Sequence, residues 1–451
     1  MEGSAPNGRN VRSGEVIHGD VYPGEVIYDD GEYLDGQVVL HPFHGDSFGC
    51  DAMPHGGCGL EGGCDGWCGD AACGDHAWRP CITLCFPQSG WVSFEYLAWW
   101  QDGMSLPPLV TSNRGTGIPG TDAGVLGRGS TVTLFGGNRV LRDAFDGGRL
   151  RFGVWLDRRQ TWGLGAEVFS LGTESEGFER TSSGNPILAR PFFNTRLGQE
   201  DSELVAFPGV ISGTVAATAQ SQLDGWGVHF RRLRDCREGC STPLFGSVPE
   251  SFQDRTEFLF GYRGLQLDER VTVREDLVSG NQERFDMFDR FDTRNQFNGF
   301  DIGWSHRRTR GYWSLDTAIR LAFGNTRQTV TIDGQTTIVD PLDPPAQTLP
   351  GGLLAQQSNI GTYRQDRFSV VPEINANLGF HLTDHLTLRV GYTFIYWSNI
   401  VRPGEHISRD VNPDLLPPPA DPVNGGLRPE FRWDTVDYWV QGINFGGEYR
   451  W

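Results

Sequence analysis

The chain has 451 residues, 61 of them glycine and 26 proline, with 12% aromatic residues; that much glycine excludes a helical enzyme of this size. Its formal net charge of -19 excludes a nucleic-acid partner, which needs basic surface to displace counterions. All 38 basic residues are arginine, so Schiff-base and phosphate-loop lysine chemistry are excluded as well.

No apolar run reaches the roughly 18 residues that a helix needs to cross hydrocarbon, and mean hydropathy is -0.38. A membrane β-barrel stays open, because its strands of about 9 to 11 residues alternate lipid-facing and lumen-facing side chains and barely register in average hydropathy. The start, Met1-Glu2-Gly3-Ser4, has neither the basic nor the apolar stretch of a secretory signal. An exported chain is therefore expected to begin upstream of this start or to have lost its leader.

Residues 1–90 form a separate zone, with 14 acidic residues against 3 arginines. Gly14-Glu15-Val16-Ile17 recurs as Gly24-Glu25-Val26-Ile27, two copies only and too few for a solenoid. Nine glycines fall between residues 46 and 75, which makes ordering costly in backbone entropy. The expectation is an acidic, flexible Gly/Cys-rich arm. Its cysteines, Cys50, Cys58, Cys64, Cys68, Cys73, Cys81 and Cys85, lie among four histidines. Disulfides or intermolecular crosslinks, unpaired thiols and zinc are all open readings, although the spacing lacks the matched halves of a structural zinc site. Gly45-Asp46-Ser47-Phe48-Gly49 fits the serine-hydrolase pattern, and Gly57, Gly59 and Gly62 fit a dinucleotide-binding one. Both lack the strand and helix that those turns require.

From Trp91 onward, alternation of period two predicts ten strands. They lie near 91–101, 148–157, 160–171, 224–233, 255–268, around Phe300–Trp304, Trp313–Phe323, 368–381, His385–Trp397 and 435–451. The ninth is typical: Leu386, Leu388, Val390, Tyr392, Phe394 and Tyr396 form one face, and Thr387, Arg389, Gly391 and Thr393 the other. Long connections at 102–147, 172–223, 269–294, 324–367 and 398–434 alternate with short or modest ones, except that 234–254 is longer than a tight turn; the order is that of barrels with short periplasmic turns and long outer loops. Thr131 to Phe135 and Val271 to Glu275 are strand-like within those loops, so the count is ten to twelve. The fold expected is all-β, a transmembrane antiparallel up-and-down barrel over 91–451. Twelve of the 14 tryptophans lie at or beside the strands, where amphipathic rings suit the headgroup level. Trp439, Ile443, Phe445, Tyr449 and Trp451 share one parity up to the chain end, which looks like the signal read by outer-membrane assembly machinery.

Several phrases carry a resemblance: Phe94-Glu95-Tyr96-Leu97-Ala98-Trp99-Trp100, Pro107-Pro108-Leu109-Val110-Thr111-Ser112, Gly124-Val125-Leu126-Gly127, Thr133-Leu134-Phe135-Gly136, Gly148-Arg149-Leu150 with Trp155-Leu156-Asp157, Ala189-Arg190-Pro191-Phe192-Phe193-Asn194 and Leu204-Val205-Ala206-Phe207-Pro208-Gly209. Over about 91–451 the chain resembles the putative beta-barrel porin seven family of bacterial outer-membrane proteins. The resemblance implies an outer-membrane location, and it carries over no catalytic or ligand residue.

The inward faces are the candidate functional surface. The expected pore-lining residues are Arg149, Arg151, Glu167, Arg231, Glu257, Arg263, Asp301, Asp316, Arg320, Glu373 and Arg389, with Glu95 and Glu448 beside them. A ring of one sign would argue for ion selectivity, whereas mixed signs pair across a lumen and fill it. Ten to twelve strands lie between a filled barrel of about 8 and an aqueous channel of about 16 to 18. Cys236 and Cys240 are a candidate disulfide on the turn side. His381, Asp384 and His385 share a tight turn, and Phe285-Asp286, Phe288-Asp289 and Phe291-Asp292 repeat every three residues; the first reads as a polar turn, the second has only spacing to suggest calcium. No enzyme activity, metal or cofactor is expected. The expected function is passive passage of small solutes, and the alternative is a closed barrel serving in surface adhesion or as an envelope scaffold. Expected partners are outer-membrane lipid, the assembly machinery through the strand ending at Trp451, and an envelope partner for the arm.

Overall fold

The computed structural model describes residues 89–114, 117–241, 250–342 and 345–451. The arm, its cysteines and both glycine motifs lie outside the described residues. Ten strands carry the architecture: β1 (Gly90–Gln101), β2 (Ala144–Trp155), β3 (Trp162–Leu171), β4 (Ile211–Ser241), β5 (Glu250–Ser279), β6 (Arg284–Arg310), β7 (Trp313–Val339), β8 (Gly361–His381), β9 (Leu386–Ile400) and β10 (Val436–Arg450). Each pairs antiparallel with the next, and β10 returns to β1 through the register Trp91 to Arg450 and Gln101 to Val440. The seam is closed at its end by Gly90 N–H donating to the Trp451 carbonyl at 3.0 Å. Within the band, closure leaves no strand edge unpaired, which hydrocarbon requires because it offers backbone amides no partner.

The alternation sets the two faces. On β7, Trp313, Leu315, Ile319, Leu321 and Phe323 are exposed while Ser314, Asp316, Arg320 and Ala322 are buried. Similar apolar outward sets, such as Phe94 and Tyr96 on β1 and Leu388, Val390 and Tyr392 on β9, continue around the ring. Together they form a band suited to lipid. Beyond Phe323 the outward set of β7 turns polar, with Asn325, Arg327 and Gln335 exposed.

Two of the expected long loops are strand instead. β5 and β6 run without a break through 269–294, joined by a turn at 280–283, and β7 extends through the first part of 324–367 to Val339. The reason is that the faces exchange character past the band. Val271, Val273 and Leu277 point inward and are buried, while Arg270 and Arg274 point outward, so an apolar-outward pattern does not register there. Likewise Glu174–Ser182 pairs with the outer part of β4 inside the expected 172–223 loop. Thr131–Phe135 is a strand, but outside the ring, in a small sheet with Val110–Asn113, Leu188–Asn194 and Gln199–Ala206. The ring therefore holds ten strands.

If the apolar band lies in hydrocarbon, Ile319→Arg, near its middle, should cost about 2 to 4 kcal/mol of folding free energy. Gln335→Arg, on the same strand past the band, should cost less than about 0.5 kcal/mol. Urea titration of tryptophan fluorescence in lipid vesicles reads both; equal costs would remove the boundary.

Candidate functional site: the filled lumen

Every residue of the expected lining projects into the ring, and there the charges are joined in pairs. Nearest the short turns, Arg231 and Arg255 flank Glu257 at 2.8 and 2.6 Å. Beside them Arg307 and Arg389 share Asp316 and Glu448, with Arg389 to Asp316 at 2.5 Å and Arg307 to Glu448 at 3.3 Å. One level further in, Glu95 takes Arg149 Nε at 2.8 Å and Arg151 at 3.1 Å. Arg151 and Arg320 both reach Glu167, Arg320 Nε also donates to Asp301 at 2.8 Å, and Arg263 meets Glu373 at 2.5 Å. Eight arginines thus face seven carboxylates. Arg149, Arg263 and Asp301 are 2%, 1% and 1% exposed, so this lattice fills the cross-section and no ring of one sign is present among the described residues.

Above the charges lies an apolar layer from every part of the ring, including Leu97, Trp99, Phe169, Phe297, Val371, Ile395 and Trp397. Trp99 and Trp397 have no solvent exposure. Their indole N–H groups donate to Asn444 Oδ1 at 2.8 Å and Thr326 Oγ1 at 3.0 Å, which satisfies the one polar atom each brings into a dry layer.

Beyond that layer the loops fold inward as a plug. Met104, Leu109, Val110, Phe135, Leu188 and Phe192 pack against Val215, Val271, Phe291 and Val330 of the strand extensions. Two buried ion contacts fasten plug to wall. Arg402 chelates Glu269 at 2.6 and 3.0 Å, and Arg190 meets Glu275 and Asp289, each at 2.5 Å. Asp289 also accepts the amide of Ala355 at 2.8 Å. Glu203 is the carboxylate left over: its Oε2 is buried and accepts no hydrogen bond. Burial, and then the neighbouring Glu275, push its carboxyl well above the ordinary value.

Sequence reasoning did not single out Glu203, Glu269 or Arg402, and it met Arg190 only within a family phrase, Glu275 only as the end of a strand-like stretch and Asp289 only in the Phe-Asp repeat. Glu269 and Glu275 carry a signal in hindsight, since they share parity with Val271, Val273 and Leu277 and so had to face inward. Cys236 is disulfide-bonded, while the side chain of Cys240 lies outside the described residues. In the turn of His381, Asp384 and His385, the first histidine ring bonds the Thr387 hydroxyl and the second the Arg450 carbonyl. Asp286 and Asp292 point outward to Arg274 and Arg270 while Asp289 points inward, so the Phe-Asp repeat does not converge, and no cluster of metal-ligating residues occurs among the described residues.

A closed antiparallel ring with an apolar outer band, polar filled interior, short turns at one end and long loops at the other defines a transmembrane β-barrel of the outer-membrane type. The profile of the family described as Putative beta barrel porin-7 matches residues 91–451, and the chain belongs to that family. It is an outer-membrane β-barrel protein of bacteria. No curated protein sequence matches it. Among solved structures, the outer membrane protease OmpT from Escherichia coli is similar at 9% identity over 82% of this chain and 99% of its own, with a TM-score of 0.36. The Pseudomonas putida toluene transporter TodX is similar at 9% identity over 81% and 90%, with a TM-score of 0.21. At those scores neither likeness bears on what this chain does.

Two outcomes test the packing of charge. Arg320→Met strands Asp301, leaves Glu167 to Arg151 alone, and should cost about 3 to 5 kcal/mol, most of it recovered when both carboxylates are also made amides. Chemical unfolding in vesicles reads this, and no recovery in the triple variant would mean that Arg320 acts by shape. For Glu203, a raised folded value means that its stabilising contribution is present at acid pH and lost as pH rises through that value. Protection of 188–206 from hydrogen exchange should therefore fall with rising pH, and Glu203→Gln should flatten the dependence.

Proposed function

We propose that this protein is a closed outer-membrane barrel that works as a surface scaffold, with its loop end outside the cell and the barrel ends at Gly90 and Trp451 on the periplasmic side. The observation that carries this reading is the filled cross-section, in which a paired-charge layer, an apolar layer and a plug lie in series along the barrel axis. Its partners in this reading are outer-membrane lipid around the band, the assembly machinery at the strand ending in Trp451, and an envelope component for residues 1–90. The reading includes no catalysis.

Family membership favours a second reading, passive passage of small solutes. Under it, the plug, the Trp99 and Trp397 layer and the charge lattice would all have to move, because they lie in series along the barrel axis.

Conductance across a planar bilayer separates the two. The full chain, with its folded state checked by heat-shifted gel mobility, should be silent. Trp99→Ala combined with Trp397→Ala should stay silent as well, because the plug and the charge layer still lie in the path. Stable steps from the unaltered chain would reject the closed scaffold and support the porin.

A further inference from the structure

The outward faces of the strand extensions carry a feature that the lumen does not explain. Just past the lipid-facing band lies a surface depression of about 690 Å³ across β4 to β8, whose outward charges are four arginines, Arg270, Arg294, Arg327 and Arg364, against Asp268 and Asp292. On a chain of net charge -19, this is a locally cationic surface. Glu269, which also borders it, is turned inward and bound by Arg402.

The register gives the arginines a definite arrangement. Thr329 of β7 sits directly between Arg294 of β6 and Arg364 of β8. Arg327, two residues along the same face, is diagonal to both, a spacing of about 7 to 8 Å between neighbours in a sheet. Arg294 is engaged by Asp268 at 2.5 Å, and Arg270 by Asp292 at 2.6 Å. Arg327 and Arg364 have no ion pair among the described residues, although Asp366 is the cross-strand partner of Arg327. Asp366 is held by the Asn325 side-chain amide at 2.8 Å.

Height above the band selects the occupant. Arg327 lies four residues beyond Phe323 and Arg364 four beyond Phe368, the last exposed aromatics of their strands. Four residues rise about 13 Å along a strand, or about 10 Å along the membrane normal once barrel tilt is allowed for. That is the level of lipid headgroups, and planar guanidinium groups around a hydroxyl match phosphate oxygens. We propose that Arg327 and Arg364, with Thr329 and Arg294, form a binding site for the phosphorylated headgroup of an outer-leaflet lipid whose acyl chains lie along Phe323 and Phe368. The site rests on the loop-out orientation argued above.

The test uses the full chain in detergent and native mass spectrometry, with a doubly phosphorylated glucosamine lipid as probe and its dephosphorylated form as control. The unaltered chain should retain the phosphorylated lipid and release the control. Arg327→Gln with Arg364→Gln should weaken retention by roughly ten- to thirty-fold, while Arg274→Gln with Arg290→Gln, arginines farther from the band, should leave it unchanged. Equal retention of both lipids, or no effect of the double variant, would overturn the site. Displacement of the lipid by millimolar inorganic pyrophosphate, with pyrophosphate itself retained, would assign the arginines to a soluble anion and overturn the lipid assignment. Orientation is read separately, by accessibility of an epitope inserted at Leu342 on intact cells. A hidden epitope with normal lipid retention would reject the orientation and leave the anion chemistry standing.

Discussion

A ten-strand ring cannot keep bare charge in its middle. Its interior is narrow and walled by backbone, so every arginine that points inward must find a carboxylate within reach or lose its solvation. The lattice from Arg231 to Arg149 is the solution found here, and the other features follow from it. The strand register has to bring Glu95 opposite Arg149 and Arg320 within reach of Asp301. A shift of one residue would turn these charges to the lipid and the aromatic band to the lumen. The charge lattice and the lipid-facing band therefore specify one register between them.

Arginine suits this position better than lysine would. Its guanidinium stays charged at any accessible pH and offers donors in several directions, so Arg320 can hold Glu167 and Asp301 together and Arg151 can bridge Glu95 and Glu167. An ammonium would serve such shared contacts as a single point. The absence of lysine, first met as a compositional fact, thus accords with an interior built from bridged pairs.

The ten ring strands were legible because, within the band, one face is lipid-facing and apolar while the other is charged, and that contrast has a period of two. Past the band the contrast reverses: at Arg270 to Leu277 the apolar residues face inward and the charges face water, and a search for outward apolar residues reads the segment as loop. The inward direction of Arg320 or Glu373 followed from parity alone. The partners did not, because Arg320 and Glu167 lie on strands that are not neighbours in the ring and meet only across its width. The plug was hidden for a related reason. Leu188–Asn194 makes a local hairpin with Gln199–Ala206, but the other strands that pair with it, Val110–Asn113 and Asp410–Val411, lie far away in the chain, and nothing local distinguishes an inward-folded hairpin from a surface loop.

The outer parts of β4 to β7 give the molecule a mechanical character. Hydrogen bonds between antiparallel strands lie across the strand direction, and here they continue unbroken from the lipid band to the loop end. A pull on the loops, directed away from the cell, would therefore load many of those bonds together in shear instead of opening them one at a time. The same continuity makes the head and its anchor a single stiff column, so tension applied outside is carried straight to the band of aromatic rings that grips the membrane.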